Sequence, residues 1–92
     1  MNIESYLQFS PEVKAALESS KPLVALESTV ITHGLPYPQN IETAALMETA
    51  VREGGAIPAT IGIIQGKIII GLSPGQMDTL GGHGYGAQVQ PA

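Results

Sequence analysis

The sequence predicts an α/β fold with a mixed sheet, and three observations carry that prediction. Leu23-Val24-Ala25-Leu26 is a continuous apolar run without alternation, the character of a strand covered on both faces. Two further strand-like runs, 59–64 and 67–71, flank Gln65-Gly66, a two-residue connection suited to a β-hairpin. Segments with apolar residues at helical spacing, opened by capping residues, separate these strands. The expected elements are strands over 22–31, 59–64 and 67–71, and helices over 11–19, 41–53 and 74–80.

Each element has its own local warrant. Residues 1–9 read as a weakly patterned arm, in which Phe9, the only phenylalanine, is placed to anchor it. Ser10-Pro11-Glu12 opens the first helix: a serine cap, proline at the first helical position and an acid that complements the dipole. Val13, Ala16 and Leu17 give it an apolar face, and Pro22 restrains Lys21 and ends it. The strand that follows stops at Glu27, with Val30-Ile31 as a brief extension. Gly34, Pro36 and Pro38 then forbid regular structure, so 27–40 is a long connection of the kind that often carries function.

Asn40 caps the second helix in this reading. Ile41, Ala44, Ala45, Ala50 and Val51 form its apolar face, Leu46 and Met47 widen it, and Glu48 pairs with Arg52 four residues on. Gly54-Gly55 ends that helix. Pro58 marks the entry of the next strand because it cannot donate to a ladder. Ser73-Pro74-Gly75-Gln76 has the form of a capping box, with Leu72, Met77 and Leu80 facing inward. From Gly81 to Ala92 the chain is glycine-rich and without hydrophobic period, and it reads as a flexible tail. No internal repeat is present.

Composition bounds the function classes. With 43% hydrophobic residues, the 92-residue chain is not a disordered tail. The net charge is −4, and the four basic residues, Lys14, Lys21, Arg52 and Lys67, are scattered, which argues against nucleic-acid binding. There is no cysteine, so neither a disulfide nor a cysteine-based metal site is available. No basic stretch followed by an apolar core opens the chain, and no apolar run approaches the length that spans a bilayer. The expected compartment is the cytoplasm, with no membrane partner.

Glu27 is the leading chemical candidate. Ligands of open α/β sheets bind at the carboxyl ends of strands, and a carboxylate partly out of water there can serve as a general acid. The competing reading is a solvated strand-end glutamate, or one bonded to the Thr29 hydroxyl. His33, beside Gly34 in the connection, is a weaker candidate for reaching a ligand. His83 is fifty residues away, and the pair makes no metal motif. Thr60, inside a strand, is a weak candidate against the ordinary reading of a threonine bonded to backbone. The glycines between Gly81 and Gly86 lack a preceding strand and a following helix, and so do not form a nucleotide-binding motif.

The order of these pieces carries a resemblance. The run 25–40, Ala-Leu-Glu-Ser-Thr-Val-Ile-Thr-His-Gly-Leu-Pro-Tyr-Pro-Gln-Asn, resembles the first signature of the pseudouridine-5′-phosphate glycosidases, which belong with the indigoidine synthase A-like proteins. The second signature follows at family spacing in 54–64, Gly-Gly-Ala-Ile-Pro-Ala-Thr-Ile-Gly-Ile-Ile, and Gly71-Leu72-Ser73 and 9–13 also match. The resemblance covers roughly 9–80. It implies that 1–80 is the N-terminal part of a three-layer α/β/α domain, while 81–92 lies outside the family pattern.

That resemblance also implies a reaction. The family reversibly cleaves the C–C glycosidic bond of pseudouridine 5′-phosphate to uracil and ribose 5-phosphate, using manganese and a lysine that attacks the anomeric carbon. Glu27 occupies the place of the proton donor; Thr29, His33 and Thr60 are weaker substrate-binding candidates. The family forms homotrimers, and its members are about three times longer than this chain. Their nucleophilic lysine, metal-site aspartate and second active-site lysine lie beyond the hairpin, and Lys14, Lys21 and Lys67 fall in none of the lysine motifs. The expectation is therefore a chain with no metal ligand of its own and no glycosidase activity alone, truncated by a frameshift, a stop or a gene boundary. Two alternatives stay open: one chain of a split enzyme, or a small non-catalytic binding or assembly module.

Overall fold

A computed structural model of the chain describes residues 3–83. A 3-10 turn (Ile3–Tyr6) leads into strand β1 (Leu7–Phe9), followed by helix α1 (Pro11–Glu18), strand β2 (Leu23–Glu27) and a wide helical turn (Val30–Gly34). Helix α2 (Gln39–Glu53), the hairpin strands β3 (Ile57–Ile64) and β4 (Lys67–Ile70), helix α3 (Pro74–Asp78) and a last turn (Thr79–His83) complete it. The strands form one mixed sheet in the order β1-β4-β3-β2. The outer pairs, β1 with β4 and β2 with β3, are parallel, and the central hairpin is antiparallel. The mixed α/β sheet with its hairpin is as the sequence implied.

The local signals act as their chemistry requires. Ser10 Oγ accepts from the Val13 N–H at 3.1 Å, with proline opening α1. Ser73 and Gln76 form the reciprocal capping box: Ser73 Oγ accepts from the Gln76 N–H at 3.1 Å, and Gln76 Oε1 accepts from the Ser73 N–H at 2.9 Å. Gln65 and Gly66 both take positive φ, 50° and 76°, the two left-handed residues of a mirror-type hairpin turn whose twist suits the flanking strands. Pro58 is tolerated in β3 because β4 pairs only with 61–64, so no ladder partner on that side asks for its missing N–H.

Alternation along β3 divides the sheet into two faces. Pro58, Thr60, Gly62 and Ile64 point to one, Ala59, Ile61 and Ile63 to the other. Helices α2 and α3 cover the first. Ile31, Ala44, Ile69, Leu72, Met77 and Leu80 form the buried cluster there, with Val30, Ile41 and Ile64 packed against it. Gly62 is small because a Cβ would stand 3.0 Å from Leu80 Cδ2 and 3.1 Å from Leu72 Cδ1. Along the second face, Ile63 and Phe9 keep about two-fifths of their surface, at 40% and 41% exposed. Helix α1 packs across β2 and β3 and buries Val13 and Ala16.

Several expectations need correction. The N-terminal arm is not irregular: 7–9 form a strand that pairs with 68–70 in register. Strand β2 ends at Glu27 instead of reaching 31, because Ser28 O accepts from the N–H groups of Ile31 and Thr32 and turns the chain into a helical coil. Among the described residues β2 is an edge strand, not one buried on both faces, and Val24 is 39% exposed. Leu46 and Met47 do not widen the buried face of α2; the inward stripe is Asn40, Ala44 and Glu48, four residues apart, and it leaves Leu46 69% exposed. Glu48 accepts from Thr60 Oγ1 at 2.5 Å, while Arg52 makes a bidentate pair with Glu12 of α1 at 2.6 and 2.9 Å. Helix α3 stops at Asp78 instead of reaching 80, and 79–83 form a turn whose last three residues fall in the expected tail; 84–92 lie outside the described residues.

Asn40 does not cap α2 from outside but sits within it, 1% exposed. Its Nδ2 donates to Ile31 O at 2.7 Å and to Gly81 O at 2.9 Å, and its Oδ1 accepts from the Ile41 N–H at 2.8 Å. Gly81 permits this approach, since a Cβ there would stand 3.0 Å from Asn40 Nδ2 and 2.4 Å from Ile41 Cδ1.

Three outcomes follow. Asn40→Ala strands the carbonyls of Ile31 and Gly81 and should cost about 2–4 kcal/mol in urea unfolding; a loss within about 0.5 kcal/mol, the level of an indifferent surface change, would contradict the assignment. Gly71 has φ +102°, and a Cβ there would lie 2.5 Å from Ser10 Oγ and 2.9 Å from Val13 Cγ2, so Gly71→Ala should lower the melting temperature, whereas Gly66→Ala, with nothing within 4 Å, should cost less. The Arg52 guanidinium, through its hydrogen bonds first, holds the Glu12 carboxyl below its ordinary value of 4.5. A lowered acid stabilises the fold above that value and loses the contribution as pH falls through the lowered one. Both side chains are nearly half exposed, at 48% and 46%, so Arg52→Met should cost no more than about 1 kcal/mol at neutral pH, and that cost should vanish in strong acid.

Candidate active site

Glu27 is the last residue of β2, opposite Ile61 of β3 in the parallel register. Alternation places it with Ile61 on the face away from α2. Its side chain is exposed, and with Ala25, Leu26 and Ile61 it lines an open hollow of about 350 Å³ whose other walls are apolar. One oxygen of the carboxylate is already occupied. Oε1 accepts from the Thr29 N–H at 2.6 Å and also from the Thr29 hydroxyl. Two donors from the second residue on fold the chain around the carboxylate, so that β2 ends and the helical turn begins at the acid.

Behind it the turn is buried. Ser28 has no exposed surface, Ile31 is 1% exposed, and the Ser28 and Thr32 hydroxyls, one helical turn apart, have no hydrogen-bond partner among the described residues. Asn40 ties Ile31 O to Gly81 O, which locks this turn against α2 and the 79–83 turn. The Tyr37 hydroxyl donates to Asp78 Oδ1 at 2.9 Å, a second tie across the same pair of segments. That bond to a carboxylate, more than any burial, raises the phenol above its ordinary value. The Tyr37-Pro38 peptide is cis.

The weaker candidates separate. Thr29 is in contact with Glu27, and both its donors are directed at it. His33 is exposed on the helical turn. Thr60 is opposite Leu26, one step before Glu27, so its side chain is on the other face of the sheet; it is 2% exposed and its hydroxyl is given to Glu48. Asn40 was read from the sequence only as a cap. The signal for its larger role was its place four residues before Ala44 on the inward stripe of α2, a buried position where an amide needs partners.

Among the described residues no three of His, Asp and Glu stand together as a metal site. The side chains present therefore do not fit a manganese ion by themselves, and no chemical step below is assigned to one.

Comparison with known proteins gives this geometry its context. The family model for indigoidine synthase A like protein matches residues 12–89. A pseudouridine-5′-phosphate glycosidase of Alkaliphilus metalliredigens is 56% identical over 80 residues, covering 87% of this chain and 26% of the relative. One from Dickeya dadantii is 61% identical over 75 residues, covering 82% and 24%. The crystal structure of an indigoidine synthase A-like protein from Thermotoga maritima superposes with a TM-score of 0.66 at 33% identity, covering 82% of this chain and 24% of that one. A prealnumycin C-glycosynthase solved in complex with ribulose 5-phosphate superposes with a TM-score of 0.69 at 43% identity, covering 84% and 24%. The aligned part of the chain thus spans about a quarter of the length of these relatives. A family model that spans most of the chain, with identities above one half, shows that the chain belongs to the indigoidine synthase A-like family.

Proposed function

We propose that Glu27 is the proton donor of a site that cleaves the C–C glycosidic bond of pseudouridine 5′-phosphate, and that these 92 residues supply the acid wall of that site and not its nucleophile. The supporting observation is an exposed carboxylate at the carboxyl end of a strand, fixed through one oxygen and open to an apolar hollow through its surroundings.

The chemistry asks for such a group. A carbon leaving group has no lone pair to accept a proton early, so breaking a C–C glycosidic bond needs an acid already placed at the reacting ring. It also needs a covalent partner for the sugar. None of the lysines lines the hollow beside Glu27, and the Nζ of Lys67 donates to Ser5 O at 2.9 Å. The attacking amine, and any manganese ligands, are therefore assigned to polypeptide other than the described residues. The apolar lining suits the flat face of a pyrimidine.

A chimera tests this reading. Residues 1–80 replace the corresponding quarter of the Dickeya dadantii relative, and uracil release from pseudouridine 5′-phosphate is followed with manganese present. The chimera should turn over, and Glu27→Gln within it should lower kcat by about 10²–10⁴, the range for loss of a general acid. The 92-residue chain alone should release no uracil. An inactive chimera that is folded, or a Gln variant within tenfold of its parent, would count against the proposal.

A further inference from the structure

The two oxygens of Glu27 are not equivalent. Oε1 accepts both donors of Thr29, the backbone N–H at 2.6 Å and the hydroxyl, whereas Oε2 has no hydrogen-bond partner among the described residues. A carboxyl oxygen that already accepts two hydrogen bonds is a poor place for a proton, because the acid hydrogen would oppose donors pointing at the same atom. We infer that Oε2 is the working oxygen of Glu27, and that Thr29 is a positioning residue that fixes which oxygen carries the proton and catches the charge left when it departs.

This inference rests on the reading of Glu27 as a proton donor and adds the division of labour within it. In the neutral acid the proton is on Oε2 and the Thr29 donors hold Oε1. When the reacting ring takes the proton, the Oε2–H bond breaks, its electron pair stays on the carboxylate, and one negative charge remains on Glu27. That charge is shared with Oε1, where two donors already stand, so the stabilisation needs no rearrangement at the moment of transfer. The arrangement is local in sequence. Thr29 has helical backbone angles, φ −60° and ψ −35°, which swing its N–H and hydroxyl back toward the side chain two residues earlier.

The competing view is that Thr29 only ends the strand. Nuclear magnetic resonance on the 92-residue chain separates the two. The Thr29 amide proton should move with the same midpoint as the Glu27 carboxyl carbon across an acid titration, and Glu27→Gln should abolish that movement. Three-bond couplings should report one Glu27 rotamer in the parent chain and in Thr29→Ser, and averaging among rotamers in Thr29→Val, while the melting temperature of all three stays the same. A Thr29 amide indifferent to the Glu27 titration, or couplings unchanged in Thr29→Val, would overturn the assignment. In the chimera described above, Thr29→Val should lower kcat by about 10–100-fold with KM unchanged, and Thr29→Ser should restore it, as loss and return of a hydrogen bond to a charged group require. A silent chimera with the resonance linkage intact would sink the glycosidase reading and leave the Thr29–Glu27 arrangement standing; loss of the linkage would do the reverse.

Discussion

The side-chain amide of Asn40 is the constraint on which the remainder of this structure depends. It is buried, it belongs to α2, and its two N–H bonds reach backbone carbonyls fifty residues apart, Ile31 in the turn after β2 and Gly81 in the turn after α3. A buried carbonyl without a partner costs about as much as a lost hydrogen bond, so both turns gain by closing on this one amide. Helix α2 therefore serves as more than a crossover between parallel strands. It is the post to which the acid-bearing loop is fastened, and Gly81 is bare of a side chain because the post stands there.

Once the loop is fastened, the two faces of the sheet take different duties. The face under α2 and α3 is closed by Leu72, Met77 and Leu80, and its one buried hydroxyl on β3, that of Thr60, is satisfied by Glu48. The other face carries Glu27 at the end of β2, beside Ile61, with Phe9 and Ile63 partly exposed along it. The closed packing under α2 and α3 and the exposed carboxylate thus lie on opposite sides of one layer of strands. The Arg52–Glu12 pair sits outside both, bidentate but nearly half in water, and so contributes little to either.

Local rules were the legible part of the sequence. The caps at Ser10 and Ser73, the Gln65-Gly66 turn and the hairpin are set by residues within a few positions of one another, and they fold as read. What sequence pattern misjudged is tertiary. The run 23–26 has the apolarity of a central strand yet lies at an edge among the described residues, since a pattern of apolar residues reports what a strand can bury and not what arrives to cover it. Leu46 and Met47 are exposed although apolar, since the buried residues of α2 are Asn40 and Ala44. Residues 7–9 carried no strand signal of their own; their pairing is induced by β4. At the site, Glu27 was found from its position after an apolar run, and its contact with the Thr29 hydroxyl was the plain alternative named beside it; the structure contains that contact. His33 lies in the first signature and Thr60 in the second, but the turn at Ser28 and strand alternation send them elsewhere.

The register of β2 against β3 has a further consequence. Side chains on a strand alternate strictly, so the choice between the two faces is binary. With Leu23 opposite Ile57, Glu27 falls beside Ile61, and the Ile57 N–H donating to Pro22 O at 2.9 Å closes the ladder at its first rung. Moved by one residue, the same carboxylate would be thrust beneath α2, a charge among Ile41, Ala44 and Ile64 with no counter-ion, and Ser28 would take its place outside. The register begun at the entrance of the strand thus decides which face of the sheet carries the carboxylate five residues further on.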